Sequence, residues 1–291
     1  MKLSAKNYIR NRHVQQKLGL RLLTPEELRE LQMLLLDIYQ EILRVCEKHS
    51  LTILLSGGST LGAVRHKGFI PWDDDMDLMM LRSDYERFVE VFRRDTQKDY
   101  RLKEHGFYLN IIKDGTNYMG LMGAEADDVV GHVDIFPIDF VPENRFSRIW
   151  RGLCSDFLIF TINSRDFYLY DNEYLQAMFS QSFQARMIFR LRKMLGCLVS
   201  RFDPKTFLRL QRKIVIYSKP STKTTIACGC KHYFGELLDY SVFFPAVPAA
   251  FEGVNSHVPH QVDKYLNNLY GSNFMSLPPE DKREAHSVRI S

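Results

Sequence analysis

Cysteine is scarce and uneven, with five in 291 residues and no framework spacing. That excludes a disulfide-built fold and points to a reducing compartment. Long hydrophobic runs are missing too. The most apolar window, residues 157–162, falls far short of the roughly 20 residues a membrane span needs. Residues 1–11 are polar and basic and lack the apolar centre of a secretory leader. Neither sign of charge dominates: 39 Lys and Arg stand against 35 Asp and Glu, for a net charge of +4. Such a balance tolerates an acidic substrate or an anionic lipid without demanding either. Internal repeats and low-complexity tracts are absent, and so is any recognised nucleic-acid-binding motif. The expectation is a cytoplasmic globular protein with no nucleic-acid partner, able to touch the inner face of a membrane.

What is present reads as helices and strands in alternation. Residues 24–49 form the clearest helix. Thr24 can cap it, Pro25 suits its first turn, and Glu27 completes a Thr-x-x-Glu box. Leu28, Leu31, Leu35, Ile38, Ile42 and Val45 recur at helical spacing. Strands are expected at 51–55 and 75–81, with a short helix over 60–66 between them. A helix from Ser83 would be capped by Ser83 and Glu86, and hairpin strands at 107–112 and 118–122 would meet at Asp114 and Gly115.

Two unlike elements share residues 56–81. Gly57, Gly58 and Ser59 make a tight turn after an apolar strand, where backbone can bend sharply and approach a ligand closely. A helix starting there would offer free N–H groups to an anion. Arg65, His66 and Lys67 follow as candidate cationic partners, and Trp72 as a wall or a stacking surface. The second element is Asp73, Asp74, Asp75 and Asp77, interleaved with Met76, Leu78 and Met80. In a strand, Asp75 and Asp77 share one face while the apolar residues enter a core. Two such carboxylates repel unless a cation lies between them, and hard oxygen ligands suit Mg²⁺ or Mn²⁺. An anion cradle beside a carboxylate pair suggests phosphoryl chemistry on a nucleotide. A third candidate acid lies in 131–139, where alternation groups His132, Asp134 and Phe136 on one face. Asp139, beyond Pro137, reads as a cap or turn.

Gly-Gly-Ser followed by Asp-x-Asp on the next strand resembles the nucleotidyltransferase fold. The fuller text, Leu61 to His66 and then Gly68, Phe69, Ile70, Pro71, Trp72, Asp73, Asp74, Asp75, Met76 and Asp77, closely resembles the LicD family. A second block resembles that family's C-terminal segment in order: Phe251 to Val254, Pro259, Asp263 to Leu266, Leu269 to Gly271, Leu277 to Glu280, and His286. The resemblance implies an α+β fold, a nucleotidyltransferase-like mixed β-sheet core flanked by helices. It implies a phosphotransferase that moves phosphocholine, or another phospho-alcohol, from a CDP-alcohol donor such as CDP-choline. The acceptor would be a glycan or a lipid-linked glycan, such as a teichoic-acid or lipopolysaccharide precursor, and CMP would be released. On this reading Asp75, Asp77 and Asp134 are catalytic and hold the metal, with Asp73 and Asp74 orienting them. Gly57, Gly58, Ser59, Arg65, His66, Lys67 and Trp72 bind the donor. Two alternatives stay open: nucleotidyl transfer releasing pyrophosphate, and a non-catalytic module that binds a nucleotide or a lipid surface.

The expected organisation is an arm over 1–23, a catalytic core over 24–142, a helical insertion over 143–223, and a segment over 224–291 that completes the core. The insertion carries no matching motif. It is aromatic, and from 186 to 219 ten Lys and Arg face a single acid, Asp203. That pattern suits a solvated face, or a surface for anionic lipid or an acidic acceptor. Cys228, Cys230 and His232 invite a zinc reading but lack a second ligand pair at suitable spacing. Glu252 and His286 are residues that could reach the site.

Overall fold

The structure, a computed structural model, describes residues 20–115, 118–120, 129–169, 176, 179, 183–279, 283 and 287–290. Most of the expected N-terminal arm and His286 lie outside the described residues. In chain order the first elements are β1 (Leu20–Leu22), α1 (Pro25–Lys48), β2 (Leu54–Leu55), α2 (Gly57–His66), β3 (Asp77–Leu81) and α3 (Arg82–Asp95). Next come β4 (Tyr100–His105), β5 (Tyr108–Lys113), β6 (Tyr118–Gly120), β7 (Val129–Val130) and β8 (His132–Phe140). Helices α4 (Arg145–Leu169), α5 (Phe183–Val199) and α6 (Pro204–Val215) precede β9 (Lys223–Thr225). The last are α7 (His232–Gly235), β10 (Leu238–Asp239), α8 (Tyr240–Phe243), β11 (Val247–Phe251), β12 (Val254–Val258), α9 (Val262–Tyr270) and β13 (Ser287–Ile290).

The central sheet is mixed and is built around β8. That strand runs parallel to β3, antiparallel to β5 along its first half, and antiparallel to β9 at its end. The fold is α+β, as expected. Alternation along the strands divides the apolar residues between two cores. Met76, Leu78, Met80, Leu109, Ile111, Val133 and Ile135 face the core shared with α1 and α3. Met79 and Ile138 face the other way, toward Leu61 of α2, Phe243 of α8, and Tyr265 and Leu266 of α9. Helices α4, α5 and α6 are inserted between β8 and β9, which are neighbours in the sheet.

Helix α1 carries the expected box in full. Thr24 N–H donates to Glu27 at 2.9 Å, and Glu27 N–H donates to Thr24 at 3.3 Å. Several expectations are corrected. Helix α2 starts at Gly57, so the glycines form its first turn rather than a turn before it. Strand β3 starts at Asp77, and residues 73–76 lead into it, with the Met76 carbonyl accepting the Asp134 N–H of β8 at 3.0 Å. Helix α3 starts at Arg82 with no side-chain cap, so Ser83 and Glu86 do not form one. Strand β5 turns back on β4 through Gly106 (φ +70°), whereas β6 pairs with β7 and β13 in a separate sheet. The local alternation was right, but the glycine that reverses the chain is Gly106, not Gly115. Strand β8 continues through Pro137 to Phe140, so Asp139 lies in a strand. Proline is tolerated there because β5 pairs only with residues 132–135 and β9 only with 139–140. One edge is therefore open where Pro137 lacks its N–H.

Candidate active site

Two carboxylates meet at the starts of the parallel strands. Asp77 on β3 and Asp134 on β8 are direct register partners, so their side chains leave the same face side by side. On the other flank of β8, Asn110 of β5 is the register partner of Asp134, and its amide donates to Asp134 Oδ1. His132 Nε2 lies 3.2 Å from the same oxygen. Like charges side by side destabilise a sheet unless dipoles or cations offset them. Asn110 supplies such a dipole, and His132 can supply a cation when protonated.

The start of α2 closes on these acids. Gly57 has φ +46°, and a Cβ there would stand 3.3 Å from Asp77 Oδ2 and 3.6 Å from the Tyr270 hydroxyl. A Cβ on Gly58 would stand 2.9 Å from Asp73 Oδ2. Gly57 is required by its backbone sign, and a Cβ on Gly58 would displace the Asp73 carboxylate. Ser59 Oγ accepts the Asp77 N–H at 2.9 Å, and Asp77 C=O accepts the Ser56 N–H at 2.8 Å. The glycine turn and the first residue of β3 are thus stitched together at contact distance. The carboxylates of Asp73 and Asp77 beside the helix start are favoured by its dipole.

Tyr265 of α9 supports the turn from below. Its hydroxyl accepts the Gly57 N–H at 3.0 Å and lies 3.1 Å from Ser56 Oγ. Burial pushes its titration well above the ordinary phenol range, so the hydroxyl keeps its proton. Tyr270, on the last turn of α9, puts its hydroxyl beside Gly57. Tyr270 as a whole is 45% exposed, but its hydroxyl end is partly desolvated there, and this and the nearby Asp77 and Asp73 raise its pKa. Gln32 of α1 donates to the carbonyl of Asp73 at 2.9 Å and holds the acidic lead-in against the core. Asp74 is buried, and Asp75 is half-buried two residues before Asp77.

The structure brings together Gly57, Gly58, Ser59, Asp73, Asp77 and Asp134. Arg65 and His66 leave the last turn of α2, whose backbone lies about 12 Å along the axis from Gly57, and gather with Trp72, while Arg65 stays near enough to Asp73 and Tyr270 to feel their charge. There Arg65 donates to the carbonyls of Phe274 and Ser276, at 2.9 and 3.3 Å, and to His66 Nε2. Its guanidinium lies 5.9 Å from the Trp72 ring, and Arg283 covers that ring at 4.2 Å. Burial and the neighbouring Arg65 lower the pKa of His66. Lys67, in a left-handed conformation, is exposed beyond the helix end. Glu252 does not join the acids. It bonds Arg29 at 2.7 Å and the Phe69 N–H at 3.1 Å, clamping the turn after α2. Asp139 is bound at two points by Arg82, both at 2.7 Å.

Asn110, Tyr265, Tyr270 and Gln32 were not anticipated as parts of the site. Asn110 had a usable signal, being a lone polar residue between Leu109 and Ile111 in a strand whose other face is core. Tyr265 and Gln32 carry no such signal, since both sit at ordinary buried positions of amphipathic helices.

Among the described residues no three carboxylate, imidazole or thiolate groups converge closely enough to hold an ion on their own. This applies to Cys228, Cys230 and His232 as well: the Cys228 thiol is directed at the Phe107 carbonyl, while Cys230 and His232 are exposed. The side-by-side pair Asp77 and Asp134 nevertheless fits a magnesium-type ion, which takes one or two carboxylates and fills its shell with phosphate oxygens and water.

Residues 50–198 match the family described as LicD/FKTN/FKRP, nucleotidyltransferase domain. The chain belongs to this family. The matched LicD-family span contains the glycine turn, the acidic lead-in, Asn110 and Asp134, but not Tyr265 or Tyr270. Over 279 residues the chain is 26% identical to the lipopolysaccharide cholinephosphotransferase LicD of Haemophilus influenzae, covering 90% of this chain and 96% of that protein. Over 103 residues it is 31% identical to the human ribitol 5-phosphate transferase FKRP, covering 35% of this chain and 19% of that protein.

Proposed function

We propose that this LicD-family chain is a divalent-metal-dependent phosphotransferase. It would move a phospho-alcohol from a CDP-alcohol to a hydroxyl of a cell-surface glycan or its lipid-linked precursor and release CMP. The observation that carries this reading is the in-register pair Asp77 and Asp134, held against the glycine start of α2. Two relatives named as transferases of phosphocholine and of ribitol 5-phosphate support the reaction class.

Asp77 and Asp134 would hold Mg²⁺ or Mn²⁺, with Asp75 entering from the lead-in. Once bound, the ion would neutralise charge on the donor's pyrophosphate. The chain's own residues position and desolvate. Asn110 and His132 orient Asp134, Ser59 fixes the start of β3, and Tyr270 offers its hydroxyl to a phosphate oxygen above Gly57. Arg65, beside Trp72, supplies positive charge at the nucleotide end. The acceptor hydroxyl attacks the phosphorus bearing the alcohol, forming a new P–O bond. The phosphoanhydride bond breaks, CMP leaves, and the hydroxyl proton passes to a carboxylate of the acidic group. Such transfer depends mostly on positioning and charge stabilisation.

Choline is the alcohol we favour. Tyr108 and Phe136, their rings 5.0 Å apart, stand two residues along the strands from Asn110 and Asp134 on the same face. Aromatic faces beside an anionic site suit a quaternary ammonium.

The test is incubation of the full chain with Mg²⁺ or Mn²⁺ and a panel of CDP-alcohols. CMP appearing with CDP-choline, and lost on chelation, supports the proposal. Pyrophosphate release from CTP would instead identify a nucleotidyltransferase, and no turnover with any donor would favour a binding module.

A further inference from the structure

The helical insertion carries a surface that neither the fold nor the transfer reaction accounts for. On α4, Phe146, Trp150, Leu153, Phe157 and Phe160 recur every three or four residues and so form one stripe. On α5, Phe183, Met187, Leu191, Met194 and Leu198 do the same. All ten are between 43% and 83% exposed. The opposite side of α4 is where the protein lies: Gly152, Ser155, Ile159 and Ile162 are buried. The two helices pack on one another, with Arg192 of α5 over the rings of Phe160 and Phe167 of α4. Apolar surface of this extent, left open along whole helices, marks an interaction site.

Charge says what covers it. Arg186, Arg190 and Lys193 follow one another at turn spacing along one edge of the α5 stripe, and Arg201, Lys205 and Arg209 continue beyond it. Among the described residues, the nearby acids have contacts of their own. Asp203 caps α6 through the Lys205 N–H, Asp156 accepts the Tyr233 N–H, and Asp166 pairs with Arg165. Aromatic and aliphatic side chains beside a stretch, 186–219, that holds ten Lys and Arg and one acid match a lipid surface with anionic headgroups, where Lys and Arg stems lie along the apolar boundary. A second copy of the chain would bring the same basic stretch to the contact, cation against cation. Among the described residues no helix is long and apolar enough to cross a membrane, so the helices would lie on the surface. We propose that the exposed stripes of α4 and α5 dock this protein on an anionic lipid bilayer.

The test uses the full chain and two kinds of vesicle, pure phosphatidylcholine and phosphatidylcholine with 30% phosphatidylglycerol (about 0.3 mole fraction, a composition rich enough to give a strong surface potential). Co-sedimentation should show tighter partitioning onto the anionic vesicles, weakening as salt rises. Replacing Arg186, Arg190 and Lys193 together by Gln should lower that partitioning by about a hundredfold, roughly fivefold per cation. The chain has two tryptophans, so in a Trp72→Phe background the emission reports Trp150 and should shift to the blue only when anionic vesicles are added. Phe157→Ser should weaken binding at unchanged thermal stability, because that side chain is exposed. Equal partitioning onto both vesicle types would overturn the proposal. So would a concentration-dependent dimer that shields Trp150 in the absence of lipid, which would make a second copy the occupant. None of these readouts involves turnover, so the result is independent of the transferase proposal.

Discussion

Tyr265→Phe removes one oxygen atom from beneath the glycine turn. Tyr265 is 1% exposed, Ser56 is 6% exposed and Gly57 is buried, so water cannot replace the lost partner. The Gly57 N–H would lose its acceptor at 3.0 Å, and Ser56 Oγ its partner at 3.1 Å. A buried donor left unpaired costs about 1–3 kcal/mol, and a neutral hydroxyl bond contributes about 0.5–1.5 kcal/mol net. The expected loss is about 2–4 kcal/mol. For a chain of this size, unfolding with about 2.1 cal/mol/K per residue, that lowers Tm by roughly 3–7 °C. Urea unfolding checks it, read as a lower midpoint at constant slope. Ser56→Ala should cost less, because Tyr265 still accepts the Gly57 N–H. The double variant should then cost less than the sum of the two, by about 1 kcal/mol, since both single changes remove one shared contact. Turnover should fall as well, because Ser56 and Ser59 on either side of the glycines are bonded to Asp77. A Tyr265→Phe midpoint equivalent to less than about 0.5 kcal/mol, the range of ordinary surface substitutions, would refute the claim that this hydroxyl holds the turn.

Three further outcomes are expected. Asp77→Asn should cut CMP release by about a thousandfold or more, while the urea midpoint stays level or rises because a like-charge contact with Asp134 is relieved; near-normal turnover would remove Asp77 from the chemistry. Glu236, 3% exposed, has its pKa raised by burial to about 7 from 4.5. The fold therefore favours its protonated form, so its contribution is full below pH 4.5 and is lost as pH rises through 7, by about 3 kcal/mol in all; Glu236→Gln should flatten the stability profile between pH 5 and 8, measured by urea midpoints. Arg82→Met should destabilise by about 3–5 kcal/mol, because it leaves the Asp139 carboxylate buried without its two-point partner; a loss below 1 kcal/mol in thermal or urea unfolding would show that water reaches Asp139.

Local pattern makes much of this protein legible from its sequence. The Thr24 to Glu27 box and the leucine period predicted α1, and alternation through Met76, Leu78 and Met80 predicted which side of β3 enters the core. Periodicity is a property of neighbours in the chain, so it survives without knowledge of the fold. It also left an error of three residues at the start of α2, because a glycine pair reads equally well as a turn or as a first helical turn. What tertiary structure alone decided are the contacts between distant segments. The Gly57 N–H finds its acceptor 208 residues away on Tyr265. Asp134 stands beside Asp77 only because β3 and β8 pair in parallel at that one register, and a slip of one residue would turn Asp134 to the opposite face. Arg65, His66 and Lys67, close to the glycines in sequence, end up at the other end of a helix because ten helical residues separate by length what a loop would have kept together.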